Sequence, residues 1–104
     1  ITMARTHLPN RRAHESMGLE FAGQEFTLGI GRDDSGAIAE IFIGGRKAGS
    51  AIDSAARDAG ILISIALQHG ASLDAMCHAS TREADGSPSS IVGAVLDVLV
   101  ERNA

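Results

Sequence analysis

At 104 residues, 44% apolar and 21% charged, the chain has the length of a single domain with a modest core. Its aromatic residues are Phe21, Phe26 and Phe42, so the core must be built from Ile, Leu, Val and Ala, and without Trp or Tyr only a Phe on a sheet face is left to stack on a base. The net charge of −4 is unevenly spread: Arg5, Arg11, Arg12, His7 and His14 precede the first acid, Glu15, and the acidic excess beyond it argues against nucleic acid as a general partner.

Residues 1–16 show little periodicity and read as a flexible basic arm, with the domain proper expected over 17–104. No apolar segment of signal-peptide type opens the chain, and a cytoplasmic location is expected. The longest apolar run, Gly60 to Leu67, contains Ser64 and is too short to span a membrane. The single cysteine, Cys77, excludes an intrachain disulfide framework and a Cys-rich zinc site.

The first strand signal is Leu19-Glu20-Phe21, followed by a tight turn at Ala22-Gly23-Gln24. Glu25 to Ile30 alternates, with Phe26, Leu28 and Ile30 on one face. Asp33-Asp34-Ser35-Gly36 is a turn cluster, and Ile38 to Ile43 returns as a strand. Two or three antiparallel strands in a meander are expected.

From Ser50 the period changes to that of a helix. Ser50 is an N-cap with Asp53 at the third position, and Ile52, Ala55, Ala56, Ala59, Ile63, Ala66 and Leu67 fall on one face. Ile61, Leu62 and Ile65 widen that face, so the C-terminal half is expected to be buried nearly all round. His69 caps the end ahead of Gly70. Ser72 starts a second helix, running to about Thr81, with Leu73, Met76 and Cys77 inward. After the loop from Ala84 to Ser89, Ser89 or Ser90 starts a third helix through Ile91, Val92, Val95, Leu96, Leu99 and Val100. The pattern predicts an α+β fold: a small antiparallel sheet followed by three helices packed on one face.

Chemistry is sparse. Gly44-Gly45-Arg46-Lys47-Ala48-Gly49-Ser50 joins strand to helix and resembles a phosphate loop, but Ser50 stands where a Walker lysine would be. Arg46 and Lys47, with the amides of Gly49 and Ser50 at a helix N-terminus, are the candidate anion-binding residues. Asp53 and Arg57 are spaced to pair on the exposed helix face, and Cys77 sits on an inward face as a core residue. No triad, metal cluster or acid–base pair stands out, so neither catalytic residues, metal ligands nor a cofactor are expected.

Glu40-Ile41-Phe42-Ile43, Lys47-Ala48-Gly49-Ser50, Arg57-Asp58 and Ile63-Ser64-Ile65-Ala66-Leu67-Gln68-His69-Gly70 together resemble the TSCPD domain in order and spacing. That domain is appended to the C-terminal end of adenosylcobalamin-dependent ribonucleotide reductases and also forms short stand-alone proteins. The signature Thr-Ser-Cys-Pro-Asp corresponds here to Asp85-Gly86-Ser87-Pro88-Ser89, with only the proline kept. Any role for the family cysteine is therefore lost at Ser87. The resemblance covers no part of the reductase barrel, and it implies an accessory or binding module rather than an enzyme. A reductase or other protein partner, or a nucleotide or phosphate ligand, would be its target. A homodimer is expected as well, with the final helix or the sheet edge at its interface, because the last helix carries apolar residues on more than one face.

Overall fold

The computed structural model describes Arg5, residues 14–45 and residues 49–103. Three strands, β1 (His14–Phe21), β2 (Gln24–Arg32) and β3 (Ile38–Gly45), precede three helices, α1 (Ala51–Gln68), α2 (Leu73–Ala79) and α3 (Ile91–Arg102). The sheet is an antiparallel meander in the order β1-β2-β3, as the alternation and turn residues predict. β1 begins at His14, so residues 14–16, which the composition assigns to the arm, are part of the sheet.

Ala22 and Gly23 connect β1 to β2 with φ of 51° and 77°. Two consecutive left-handed residues twist a two-residue hairpin in the sense of its strands, and for Ala that conformation is costly. The β2–β3 turn is held by Asp33, whose Oδ1 accepts from the Ser35 and Ala37 amides at 2.9 and 3.1 Å.

Phe26, Leu28 and Ile30 are buried, as their alternation predicts, and meet Ile41 and Ile43 of β3 on the same face. Ala56 and Ile63 of α1, Leu73 of α2, and Ile91, Val95, Leu96 and Leu99 of α3 close this core. Ser50, Ser72 and Ser90 each accept the amide three residues on, so all three helices start at serine caps. His69 closes α1 with its amide on Ile65 and Ala66.

Helix α1 keeps part of the expected face, with Ala56 and Ile63 buried and Ala59 and Leu67 packed against the core, and departs from it elsewhere. Its buried residues are Asp53, Ala56, Gly60, Ile63, Ser64 and Gln68, whereas Ile52, Ile61 and Leu62 are 49, 56 and 65% exposed. It is thus open to solvent along its C-terminal half, not buried nearly all round. The reason is its partner: α1 lies against β3, the last strand of the sheet, whose outer edge carries unpaired backbone groups. Ser64 Oγ accepts the Ile41 amide at 2.8 Å and shares its own hydrogen between the Ile41 and Gly60 carbonyls at 3.0 and 2.8 Å. Gln68 Nε2 donates to the Ala39 carbonyl at 3.0 Å, and Asp53 Oδ1 accepts the Gly45 amide at 2.6 Å.

The spacing makes this possible. Two strand residues advance about 6.6 Å and four helical residues about 6 Å, so every second β3 residue meets every fourth residue of α1. Gly60, between Ser64 and Ala56, brings the two backbones together; a Cβ there would lie 3.1 Å from the Ile43 nitrogen and 3.2 Å from the Ile41 oxygen. The helix supplies with side chains the hydrogen bonds that a fourth strand would supply with its backbone.

Candidate functional site

The strand-to-helix corner places Gly49, at φ 84°, directly before Ser50. Ser50 Oγ accepts the Asp53 amide at 3.0 Å, and its backbone carbonyl accepts from Ser54. Arg46 and Lys47, the cationic half of the candidate anion site, lie outside the described residues. The described half has an acidic setting. A shallow cleft of about 510 Å³ beside Ser50 is lined by Glu20, Glu25 and Asp53, with Gly23, Gly45 and Ile52.

Asp53 is the centre of this corner. Its Oδ2 accepts from Arg57 Nε at 3.0 Å, and the Arg57 guanidinium and the Gly45 amide together hold its carboxyl below the ordinary 3.8. The Asp53–Arg57 pair therefore forms at its predicted spacing, but Asp53 is buried under the end of β3 instead of standing on an exposed face. Arg57 also lies 5.2 Å from the centroid of the Phe42 ring, within cation–π range.

Phe42 belongs to the sheet face turned away from the helices, together with Thr27, Gly29, Glu40 and Gly44. Its ring lies close over Gly44, where a Cβ would meet it at 3.0 Å, and Phe42 is 48% exposed. With Ile61 and Ile65 of α1 it lines a second shallow cleft of about 410 Å³, edged by Arg5, His14 and Glu40. Arg5 Nε donates to Gln68 Oε1, so the same glutamine that bonds β3 also holds a residue of the N-terminal segment. His14 Nε2 is 3.4 Å from Glu40. The surplus apolar surface thus lies on β3 and α1, whereas Val92, Val98 and Val100 of α3 are half-buried against the core.

A third cluster joins α2 to α3. Arg82 grips Asp97 with both terminal nitrogens at 2.9 and 2.8 Å, and its second nitrogen also reaches Ser80 Oγ at 3.1 Å. Cys77 Sγ donates to Asp97 Oδ1 at 3.2 Å. Burial and the neighbouring Asp97 carboxylate push the Cys77 thiol up, while Arg82 holds Asp97 below the usual carboxylate range. A thiol raised in this way is a poor nucleophile at neutral pH, and the cluster acts as a clasp between helices. Neither Arg82 nor Asp97 stands out in the sequence, since their partnership spans 15 residues and a loop.

Among the described residues, no group of three His, Cys, Asp or Glu side chains is placed to hold a metal ion, and no helix is long and apolar enough to cross a membrane. Every buried polar side-chain atom described has a hydrogen-bond partner. Asp53, Ser64 and Gln68 are thus committed to the architecture.

These features define a small α+β module in which a helix seals one edge of a three-stranded sheet. The chain belongs to the TSCPD domain family, whose family model matches residues 4–102. No curated protein and no solved structure matches it.

Proposed function

We propose that this chain is a non-catalytic accessory module, related to the domain appended to adenosylcobalamin-dependent ribonucleotide reductases, and that it acts by contacting another protein. The family match over residues 4–102 carries this reading. Two features support it. The buried polar groups serve the fold, and the exposed Phe42 of β3 and Ile61 of α1 line one cleft together with Ile65. Such exposed apolar ground characterises surfaces that meet a partner.

Affinity capture from the native cell tests the proposal. Ribonucleotide reductase subunits are expected to co-purify with the chain and to be lost with a Phe42→Ala, Ile61→Ser variant. Capture without any reductase subunit, or cobalamin-dependent nucleotide reduction by the purified chain alone, would overturn it.

A second reading, a small nucleotide- or phosphate-binding regulator using Arg46, Lys47, Gly49 and Ser50, draws on the left-handed Gly49 before a serine-capped helix. It competes with Glu20, Glu25 and Asp53 in the adjoining cleft, which repel an anion. Calorimetric titration with nucleoside di- and triphosphates separates the readings; no heat at millimolar ligand removes the second.

A further inference from the structure

The two edges of the sheet are treated differently. β3 is covered by α1, while no strand lies beside the outer edge of β1 among the described residues. We propose that β1 pairs with β1 of a second copy of this chain, across a two-fold axis, to make a continuous six-stranded sheet. The proposal is independent of which protein the module recruits.

The direction of the backbone groups follows from Ser64. Because both the amide and the carbonyl of Ile41 turn outward to Ser64, Ile41 and Ile30 form a pair without mutual hydrogen bonds. Ile30 therefore turns its own groups toward Glu15 on β1. Alternation along the strand then fixes the rest: Glu15, Met17, Leu19 and Phe21 bond to β2, and Ser16, Gly18 and Glu20 point their amides and carbonyls at the open edge.

The charges on this strand leave its edge open: Glu15 is taken up within the copy by Arg32 and Arg102, and Glu20 stands on the outer face. β1 has eight residues with no proline and no lysine, and the sheet's register shift lies between β2 and β3, at Gly31/Arg32. Its inward side chains Met17, Leu19 and Phe21 are only half-buried, in contrast to Leu28 and Ile30 on the neighbouring strand. Gly18 has no explanation within one copy: a Cβ there would meet nothing within 4 Å, and its φ is not left-handed. A glycine inside a strand weakens it, and it often marks a place where another backbone comes close.

The sequence of β1 complements itself. An antiparallel pairing centred on Gly18 sets Met17 against Leu19 on the inner face and Ser16 against Glu20 on the outer one. A pairing centred on Met17 sets His14 against Glu20. Both keep inward residues inward and bring no like charges together, whereas a centre at Glu20 would oppose two carboxylates. Either arrangement forms on the order of six to eight backbone hydrogen bonds, within the range of about ten, give or take five, found at stable interfaces.

Light scattering coupled to gel filtration is expected to give twice the 10.7 kDa chain mass at 100 μM. Gly18→Pro removes an amide that faces the open edge in both registers and makes no bond to β2, and it is expected to give a monomer whose circular dichroism matches the parent at low concentration. Amide exchange on the unaltered chain provides an independent measure, with Ser16, Gly18 and Glu20 expected to exchange at least tenfold more slowly at 100 μM than after dilution to 1 μM. A monomer at 100 μM overturns the proposal, as does a dimer that survives Gly18→Pro or leaves those three amides unprotected.

Discussion

Gly60 and Ile43 meet backbone to backbone: the position of a missing Cβ on Gly60 is 3.1 Å from the Ile43 nitrogen. By helix propensity alone Gly60→Ala should stabilise α1 by about 1 kcal/mol. The atoms it would press on belong to a strand already held on its other side by β2, and overpacking of this kind costs about 1–3 kcal/mol. Gly60→Ala is therefore expected to lower stability by about 1 kcal/mol in urea denaturation, reversing the sign that propensity predicts.

Ser64 is buried and serves Ile41 twice. Ser64→Ala leaves that amide buried without its acceptor, a loss of about 1–3 kcal/mol. The measurement is a denaturation midpoint compared with that of Ser54→Ala, an exposed position on the same helix expected to change by less than about 0.5 kcal/mol.

These two residues also show what the sequence conceals. β2 was legible because its partner is an apolar core, so Phe26, Leu28 and Ile30 announce the buried face. The serine caps were legible because capping is local, acting between residues three apart. On α1 apolar periodicity marks Ala56 and Ile63 but not Asp53, Ser64 and Gln68, because the partner there is a strand edge that needs hydrogen bonds. The available signal was the four-residue ladder Ala56, Gly60, Ser64, Gln68, small or polar at each step. The Arg82–Asp97 clasp gave no signal, since it depends on how the loop before α3 folds back.

Ala22 occupies a left-handed conformation, at φ 51°, that costs an L-residue roughly 1–2 kcal/mol. Asn tolerates this region better and favours the first position of such a hairpin turn. Ala22→Asn is expected to raise stability by about 0.5–1 kcal/mol, seen as a higher melting temperature with an unchanged sheet signal in circular dichroism.

Acid should unfold the chain partly through Asp53 and Asp97. Both carboxyls sit below 3.8 in the folded state, Asp53 through Arg57 and Asp97 through Arg82. The unfolded chain therefore takes up their protons first as pH falls. Their contribution is complete above the unfolded value of 3.8 and is lost progressively below it, through the folded pKa values. Asp53→Asn is expected to flatten the stability–pH curve below about pH 4 while lowering the plateau above it, as measured by urea midpoints across that range.

Cys77 reports on the clasp. With the thiol raised by burial and by Asp97, alkylation by iodoacetamide at pH 7.5 is expected to be slower in the folded chain than in urea. Asp97→Asn removes the carboxylate and leaves the Arg82 nitrogen 3.3 Å from the sulfur, so the thiol pKa should fall and the rate at pH 7.5 rise. A rate unchanged by Asp97→Asn would show that burial alone governs the thiol.

The sealing of β3 by α1 has a consequence for stoichiometry. A sheet open at both margins can recruit neighbours without end and grow into a fibre; a sheet open at one margin can recruit a single neighbour and is then complete. By occupying backbone groups of Ile41 and Ala39, Ser64 and Gln68 close that margin, so the proposed pairing through β1 would end at two copies.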